Sequence, residues 1–247
     1  MNGFSLLADY YDDFSDESFY KSYLQFIVTA IERFSLVKVE DILDLACGTG
    51  LLSDMLHKKG YGMVCVDAST EMLSEARVRN PELLLINQNM TEFELYGTVQ
   101  ASICSLDSLN YLKTTKELEK TFSGVANYTE NGGLFIFDIN TKYRFEYVYG
   151  SNNFVFDNGD LMIIWQNSFK KNGTHVIDLT YFKASADNSF TRSDERQVQK
   201  YFSPKTIEKL LFSSGFELIG KFGTCDFTDP TDTDEKIYYI ARRFKSI

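Results

Sequence analysis

Two acids and a glycine pair set the chemistry. The run Asp44-Leu45-Ala46-Cys47-Gly48-Thr49-Gly50 places a carboxylate four residues ahead of two glycines one residue apart. Glycines there let the chain turn sharply and let a ligand approach the backbone closely. A second acid, Asp67, closes the run Val64-Cys65-Val66-Asp67, seventeen residues beyond Gly50. In open α/β sheets ligands bind beyond the carboxyl ends of the strands, and an acid ending the second strand accepts the hydrogen bonds of a ribose diol. The expected ligand therefore bears adenosine. Its other end is expected to be positive, because Asp44 would lie where a dinucleotide puts its pyrophosphate, and a carboxylate there favours a cation. The dinucleotide fingerprint G-x-G-x-x-G is not met, since Ser53 occupies the third glycine position, and no G-K-[ST] follows for a phosphate loop. A nicotinamide oxidoreductase is the weaker alternative.

The elements that must position these acids follow from periodicity. Phe19, Tyr23, Phe26, Ile27, Ala30, Ile31 and Phe34 recur at helical spacing, which predicts an amphipathic helix over 18–34. Strands are expected at 39–46, 63–66, 83–86, 100–106 and 134–138. Helices are expected between them at 51–59, at 71–79 with Ser69 as N-cap, and from Thr114 or Thr115 to about Tyr128. Strand alternating with helix predicts βαβ units and a mostly parallel sheet, and its continuous apolar strands predict cover on both faces. The pattern changes near residue 153. Asn158-Gly159 and Asn172-Gly173 are hairpin signals between β-rich runs, which predicts a four-stranded antiparallel meander ending near 202. Ser203-Pro204 opens a last helix, and 216–222 and 237–243 read as closing strands. The expected organisation is one α/β domain from 1–140 and 203–247, with a β insert at 141–202.

At this point the residues carry a resemblance. Asp41-Ile-Leu-Asp-Leu-Ala-Cys-Gly-Thr-Gly50 with Val66-Asp67-Ala68-Ser69-Thr70-Glu71-Met72-Leu73 resembles class I S-adenosylmethionine-dependent methyltransferases. Gln88-Asn89-Met90, Ser105-Leu106-Asp107-Ser108-Leu109-Asn110-Tyr111-Leu112 and Phe135-Ile-Phe-Asp-Ile-Asn140 extend the match. The likeness covers about 1–140 and 203–247. The insert is similar to that of small bacterial methyltransferases of unassigned substrate and, more loosely, of sugar N,N-dimethyltransferases. The resemblance implies a Rossmann-like sheet, mostly parallel with the last strand antiparallel, and helices on both faces. It implies S-adenosyl-L-methionine as cofactor, S-adenosyl-L-homocysteine as product, and methyl transfer to nitrogen or oxygen of a small molecule. Position by position, it implies that Ala46, Gly48 and Gly50 line the methionine part with Asp44 near its amino group. Asp67 would hold the ribose, while Ala68 and Met72 border the adenine. Asn89 would meet the adenine amino group, standing where the family commonly has Asp, and Met90 would pack on the ring. Leu106 would close the methionine side through its backbone, and Tyr11 would belong to an N-terminal lid over the sulfonium. The insert would roof the acceptor pocket.

A sulfonium is already an activated methyl donor, so the chain mostly has to align donor and acceptor. Tyr111, after the fourth strand, is the catalytic candidate, for orienting the acceptor; it is similar to a family histidine or tyrosine there. Asp107, Asn110, Asp138, Asn140 and Tyr143 also sit at carboxyl strand ends. His57 falls within a helix away from the site. His175, in register with Ile177, Leu179 and Tyr181, could face the pocket as a base. A cofactor-binding protein without catalysis remains an alternative. No metal site is expected, because Cys47, Cys65, Cys104 and Cys225 are widely spaced with no histidine near enough to complete a zinc pattern. They are expected to be reduced and structural in a cytoplasmic protein.

Composition limits the partners. The chain has 247 residues with 25 Lys+Arg against 35 Asp+Glu, a formal net charge of −10, which argues against a nucleic-acid partner. No window approaches a membrane span and no signal peptide is read. A monomer and a homodimer are both compatible. Aromatic residues make up 15% of the chain, clustered partly at the N-terminus (Tyr10, Tyr11, Phe14, Phe19, Tyr20, Tyr23) and partly in the insert (Phe154, Phe156, Trp165, Phe169, Tyr181, Phe182), the two regions expected to cover the site.

Overall fold

The computed structural model describes residues 17–244, apart from 186 and 188. Helix α1 (Glu17–Phe34) precedes the alternating run β1 (Asp41–Leu45), α2 (Leu51–His57), β2 (Gly62–Asp67), α3 (Thr70–Arg79), β3 (Leu84–Asn87) and β4 (Val99–Cys104). A 3-10 turn at Ser108–Tyr111 leads to α4 (Thr115–Tyr128) and the long strand β5 (Thr129–Asn140). Then come a π-helical turn (Arg144–Tyr149), β6 (Asn153–Asp157), β7 (Leu161–Phe169), β8 (Thr174–Ala184) and β9 (Phe190–Lys200). Helix α5 (Pro204–Ser213) and strands β10 (Phe216–Phe222) and β11 (Lys236–Arg243) close the described chain.

The seven-stranded sheet has the order β10-β11-β5-β4-β1-β2-β3. Strands β1 to β5 pair in parallel, and β11 runs antiparallel to both of its neighbours. This is the expected Rossmann-like sheet, mostly parallel, and burial on both faces explains the continuous apolar strands. Along β1, Ile42 packs with α1 and α2, whereas Leu43 packs with α4 and α5. The local signals act as their chemistry requires: Ser69 accepts from Met72 N–H at 3.1 Å, and Thr114 and Glu117 form a reciprocal capping box. Ser203 caps α5 with Pro204 in its first turn.

Asn131-Gly132-Gly133, between the helix expected at 115–128 and the strand expected at 134–138, lies inside β5, which starts at Thr129. The β4–β5 register shifts there and Gly132 takes φ +88°. A Cβ on Gly133 would stand 2.3 Å from the Gln100 carbonyl, so the irregular stretch needs glycine to let the two backbones approach.

Strands β6 to β9 form a separate four-stranded antiparallel sheet in chain order. One face carries Ile163, Trp165 and Asn167 of β7 beside Tyr181, Leu179 and Ile177 of β8, and Gln197 of β9 pairs with Ile177. Among the described residues no helix is long and apolar enough to cross a membrane.

The core beneath the large sheet is aromatic. Phe137 stacks on Tyr239 at 4.9 Å between ring centroids and also meets Phe122 and Phe135. Phe137→Ala should therefore lower unfolding stability by about 3–5 kcal/mol, the range for emptying a packed aromatic site, measured by urea denaturation.

Candidate active site

The loop after β1 is shaped by left-handed backbone. Ala46, Gly48 and Gly50 take φ +63°, +57° and +71°. The amides of Ala46 and Cys47 both donate to the Val66 carbonyl, at 2.7 and 3.1 Å, which ties the loop to β2. A Cβ on Gly48 would meet nothing within 4 Å and would project into open space beside the loop. A Cβ on Gly50 would come within 3.0 Å of the Ala76 Cβ. Gly50 thus serves the packing of α2 on α3 and does not border the cavity, unlike the other described residues expected to line it.

Asp67 accepts Gly48 N–H at 2.9 Å and Ser69 N–H at 2.8 Å. The acid read as a ribose ligand therefore also braces the glycine loop. Asp44 is 1% exposed. Burial pushes its carboxyl up to about 7, although the Ser53 hydroxyl, donating at 2.5 Å, favours the charged form. The other oxygen, Oδ1, is buried with no hydrogen-bond partner. Ser53, which breaks the dinucleotide fingerprint, is thus the residue that holds the carboxylate.

A cavity of about 980 Å³ lies above this loop. Asp44, Ala46, Gly48, Asp67, Ala68, Met72, Asn89, Met90, Leu106 and Tyr111 all border it. Tyr11 lies outside the described residues, as do Tyr10 and Phe14. Asn89 differs in detail from the expectation. Its Oδ1 already accepts Thr91 N–H and Oγ1–H, both at 2.9 Å, so the side chain offers its NH₂ group and a donor rather than an acceptor. Phe19 and Tyr20 of α1 line the cavity, while Tyr23 is buried in the core.

At the far end the wall is polar and highly connected. Leu106 and Asp107 are consecutive left-handed residues, at φ +57° and +53°, an arrangement that L side chains resist. Asp138, at the end of β5, accepts both their amides, at 2.7 and 2.9 Å. It also accepts the Tyr23 hydroxyl at 2.8 Å. Lys236 spans Asp107 and Asp138 at 2.8 Å each. Gln199 and Asn140 donate to the second oxygen of Asp107, at 2.7 and 3.1 Å. Burial alone would raise Asp107, but Lys236 and Arg144 hold it below the usual carboxylate range. The Tyr111 hydroxyl donates to Gln197 Oε1 at 2.8 Å, coupling the 3-10 turn to β9.

The opposite wall is the inner face of the second sheet, where Phe156, Ile163, Trp165, Ile177 and Leu179 border the cavity. His175 lies on that face but not on the cavity, which corrects its reading as a pocket base. It is fully buried, stacked 4.9 Å from the Tyr149 ring, with Nε2 2.9 Å from Asn167 Oδ1. Burial depresses it to about 4, so it is neutral near pH 7. His57 bonds the Tyr61 carbonyl and Glu82, away from the cavity. Residues that sequence reasoning missed are Arg144, Tyr149, Gln197, Gln199, Lys236 and Tyr238, all of which line the cavity. The polar alternation of Gln197 and Gln199 in β9 was a usable signal; Lys236 carried none.

All four cysteines are unbridged. Among the described residues no group of three or more His, Cys, Asp or Glu is placed to hold a metal ion.

This geometry agrees with what known proteins show. Residues 42–133 match the family model for a methyltransferase domain. The chain is 31% identical over 247 residues to the protein named "Putative methyltransferase YqeM" of Bacillus subtilis (strain 168), covering 97% of each. The crystal structure of a S-adenosylmethionine-dependent methyltransferase from Clostridium acetobutylicum ATCC 824 superposes with a TM-score of 0.87 at 29% identity, over 99% of this chain and 100% of that one. A shorter stretch of 109 residues, 44% of this chain and 46% of the relative, is 32% identical to dTDP-3-amino-3,4,6-trideoxy-alpha-D-glucopyranose N,N-dimethyltransferase of Streptomyces venezuelae. The chain belongs to the class I S-adenosylmethionine-dependent methyltransferases. It is an enzyme, and S-adenosylmethionine is its cofactor.

The buried charges make one stability prediction. Lys236→Met should cost about 3–5 kcal/mol near pH 7, because it strands two buried carboxylates. Asp107 is held low in the fold, so its share of stability is present above its unfolded value near 4 and is lost as pH falls through its lower folded value. The difference between variant and parent should therefore shrink in acid, as read from urea unfolding at a series of pH values.

Proposed function

We propose that the protein transfers the methyl group of S-adenosylmethionine to a nitrogen or oxygen of a small molecule held beneath the second sheet. The observation that carries this reading is a single cavity bordered both by the Asp44–Asp67 loop and by the Trp165–Gln197 face. The Streptomyces venezuelae relative, whose name describes an N,N-dimethyltransferase of an amino sugar nucleotide, supports a small-molecule acceptor. On this reading 1–140 and 203–247 bind the cofactor, and the insert 141–202 roofs the acceptor pocket.

The residues present fit the cofactor on a structural test of their own. Asp44 Oδ1 is buried, unpartnered and at the cavity wall, which is costly until a donor reaches it. The amino group of the cofactor is such a donor. Ala46 and Gly48 line its methionine part, Asp67 accepts from the ribose hydroxyls, and Ala68, Met72 and Met90 border the adenine. Asn89 gives its amide NH₂ to a ring nitrogen. Leu106 has its N–H committed to Asp138, which leaves its carbonyl as the backbone group to close the methionine side.

When bound, the cofactor supplies an electrophilic methyl on a positive sulfur. The chain's work is alignment, which gains rate by holding donor and acceptor in near-attack contact at about 3–3.5 Å. Tyr111 is the orienting residue. With its proton directed to Gln197, its oxygen lone pairs can accept an N–H or O–H of the acceptor. An acceptor that arrives as a neutral amine needs no general base.

The test is incubation with methyl-labelled S-adenosylmethionine and a panel of amines, amino sugars and alcohols, following both label transfer and S-adenosylhomocysteine. Formation of labelled N- or O-methyl product supports the reading; cofactor binding without transfer to any of them would favour a binding protein. Asp67→Ala should weaken S-adenosylhomocysteine binding by about tenfold or more in isothermal titration, through two lost charge-assisted hydrogen bonds. Asp44 ionises near 7 in the fold, so cofactor affinity should rise between pH 6 and pH 8 as the carboxylate forms. Asp44→Asn should flatten that dependence.

A further inference from the structure

Arg144 opens the π-helical turn on the cavity wall, and of its guanidinium only Nε makes a hydrogen bond among the described residues. Its Nε donates to the Tyr149 hydroxyl at 2.9 Å and lies 3.6 Å from Glu235. Its Cζ lies 4.9 Å from the Tyr149 ring centroid. Neither η nitrogen has a hydrogen-bond partner among the described residues, although the side chain is only 20% exposed. Four of the five N–H donors of an arginine are on those two atoms, in a planar fork that matches an oxyanion. Both lie on a side chain that lines the cavity and stay open to whatever fills it, so the fork is placed to receive an anionic ligand group.

The turn itself is built for this placement. Gly150 N–H donates to the Phe145 carbonyl at 2.9 Å, an i to i+5 bond, and the widened turn brings Arg144 and Tyr149 together five residues apart. Such turns recur at functional sites. The surrounding charges leave room for an anion. Asp107 and Asp138 are balanced by Lys236 and Arg144, and Glu235 is half exposed and screened by solvent. A sulfonium bound nearby would add a positive charge to this balanced set. Beyond Tyr149 the wall turns apolar: its ring lies 5.5 Å from Trp165, which Asn167 fixes by accepting Nε1–H at 2.7 Å.

We propose that the methyl acceptor carries an anionic group, a carboxylate or a phosphate, held by the η nitrogens of Arg144, with an apolar body against Trp165. The proposal rests on the cavity being the acceptor site and names the substrate class and the residue that selects it. Arg144 acts in recognition: it neither gives nor takes a proton.

Trp165 is the chain's single tryptophan, so its emission reports on this wall. The protein is saturated with S-adenosylhomocysteine, whose binding is measured first by titration calorimetry, and then titrated with benzoate, phenyl phosphate or benzamide. Benzamide has the shape of benzoate without its charge. The expected result is saturable quenching of Trp165, with benzoate or phenyl phosphate binding about tenfold or more tighter than benzamide. The tighter anion identifies carboxylate or phosphate as the group. Arg144→Gln should erase the preference, and Arg144→Lys should keep part of it, since charge survives but the fork is lost. Both variants should bind S-adenosylhomocysteine within about twofold of the parent, which controls for folding. Equal affinity for the three probes, no binding of any of them, or a preference that survives Arg144→Gln would overturn the proposal while the cofactor reading stands. Absence of S-adenosylhomocysteine binding to the parent protein would remove both.

Discussion

The carboxylate of Asp138 holds the active end of the molecule together. Two adjacent left-handed residues cost about 1–3 kcal/mol each when neither is glycine, and Leu106 and Asp107 adopt that backbone only because Asp138 accepts both their amides. The same group takes the hydroxyl of Tyr23 from α1 and an ammonium hydrogen of Lys236 from β11. The first described helix, strand β5, the loop after β4 and the last strand therefore converge on one side chain. Without this strained turn the chain after β4 would leave the sheet elsewhere, and Asp107 and Tyr111 would not border the cavity.

That convergence is better understood as specification than as stability. Taking Asp107, Asp138 and Lys236 out of water is expensive, and apolar residues of similar size could pack there at no worse free energy. What apolar residues could not do is fix the direction of two backbone amides and a carboxylate beside a site that handles a cation. The Asp138 carboxylate is paired where it braces backbone, while two groups at the cavity keep free positions: Asp44 Oδ1 on the glycine-loop side and the η nitrogens of Arg144 on the other.

The cofactor end was legible in the sequence because its determinants are local. A strand, two glycines and an acid at the end of the next strand are close along the chain, and the caps at Ser69, Thr114 and Ser203 need only their own first turn. Ser53 shows the limit of such reading, since as a letter it only breaks a motif, and its bond to Asp44 needs the helix to be in place. Lys236 was harder still: it meets Asp107 across 129 residues and Asp138 across 98, through an antiparallel register that no short window contains. The π-helical turn follows neither helical nor strand periodicity, so Arg144 had no pattern to announce it. For His175 the alternation identified the right face of β8, but not how far along the strand the cavity extends; Ile177 and Leu179 reach it, and His175 instead meets Tyr149 and Asn167.

The aromatic excess divides along the same line between support and contact. Phe122, Phe135, Phe137 and Tyr239 fill the core under the large sheet, and Phe26, Phe222, Phe227 and Tyr238 join α1 to the closing strands. Phe145 lies between the π-helical turn and the second sheet, stacked on Phe169 at 5.4 Å and edge-on to His175. Polar ties run in parallel with that stack: Asn110 to the Lys200 carbonyl at 2.8 Å, and Tyr111 to Gln197. The second sheet and the turn that carries Tyr111 are thus tied together by rings and by hydrogen bonds. Methyl transfer tolerates misplacement of only about 1 Å before rate falls steeply. On the reading that the second sheet roofs the acceptor pocket, rings and hydrogen bonds together fix its distance from the turn that carries Tyr111, with aromatic side chains used both on the wall, as at Tyr149, Phe156 and Trp165, and behind it, as at Phe145.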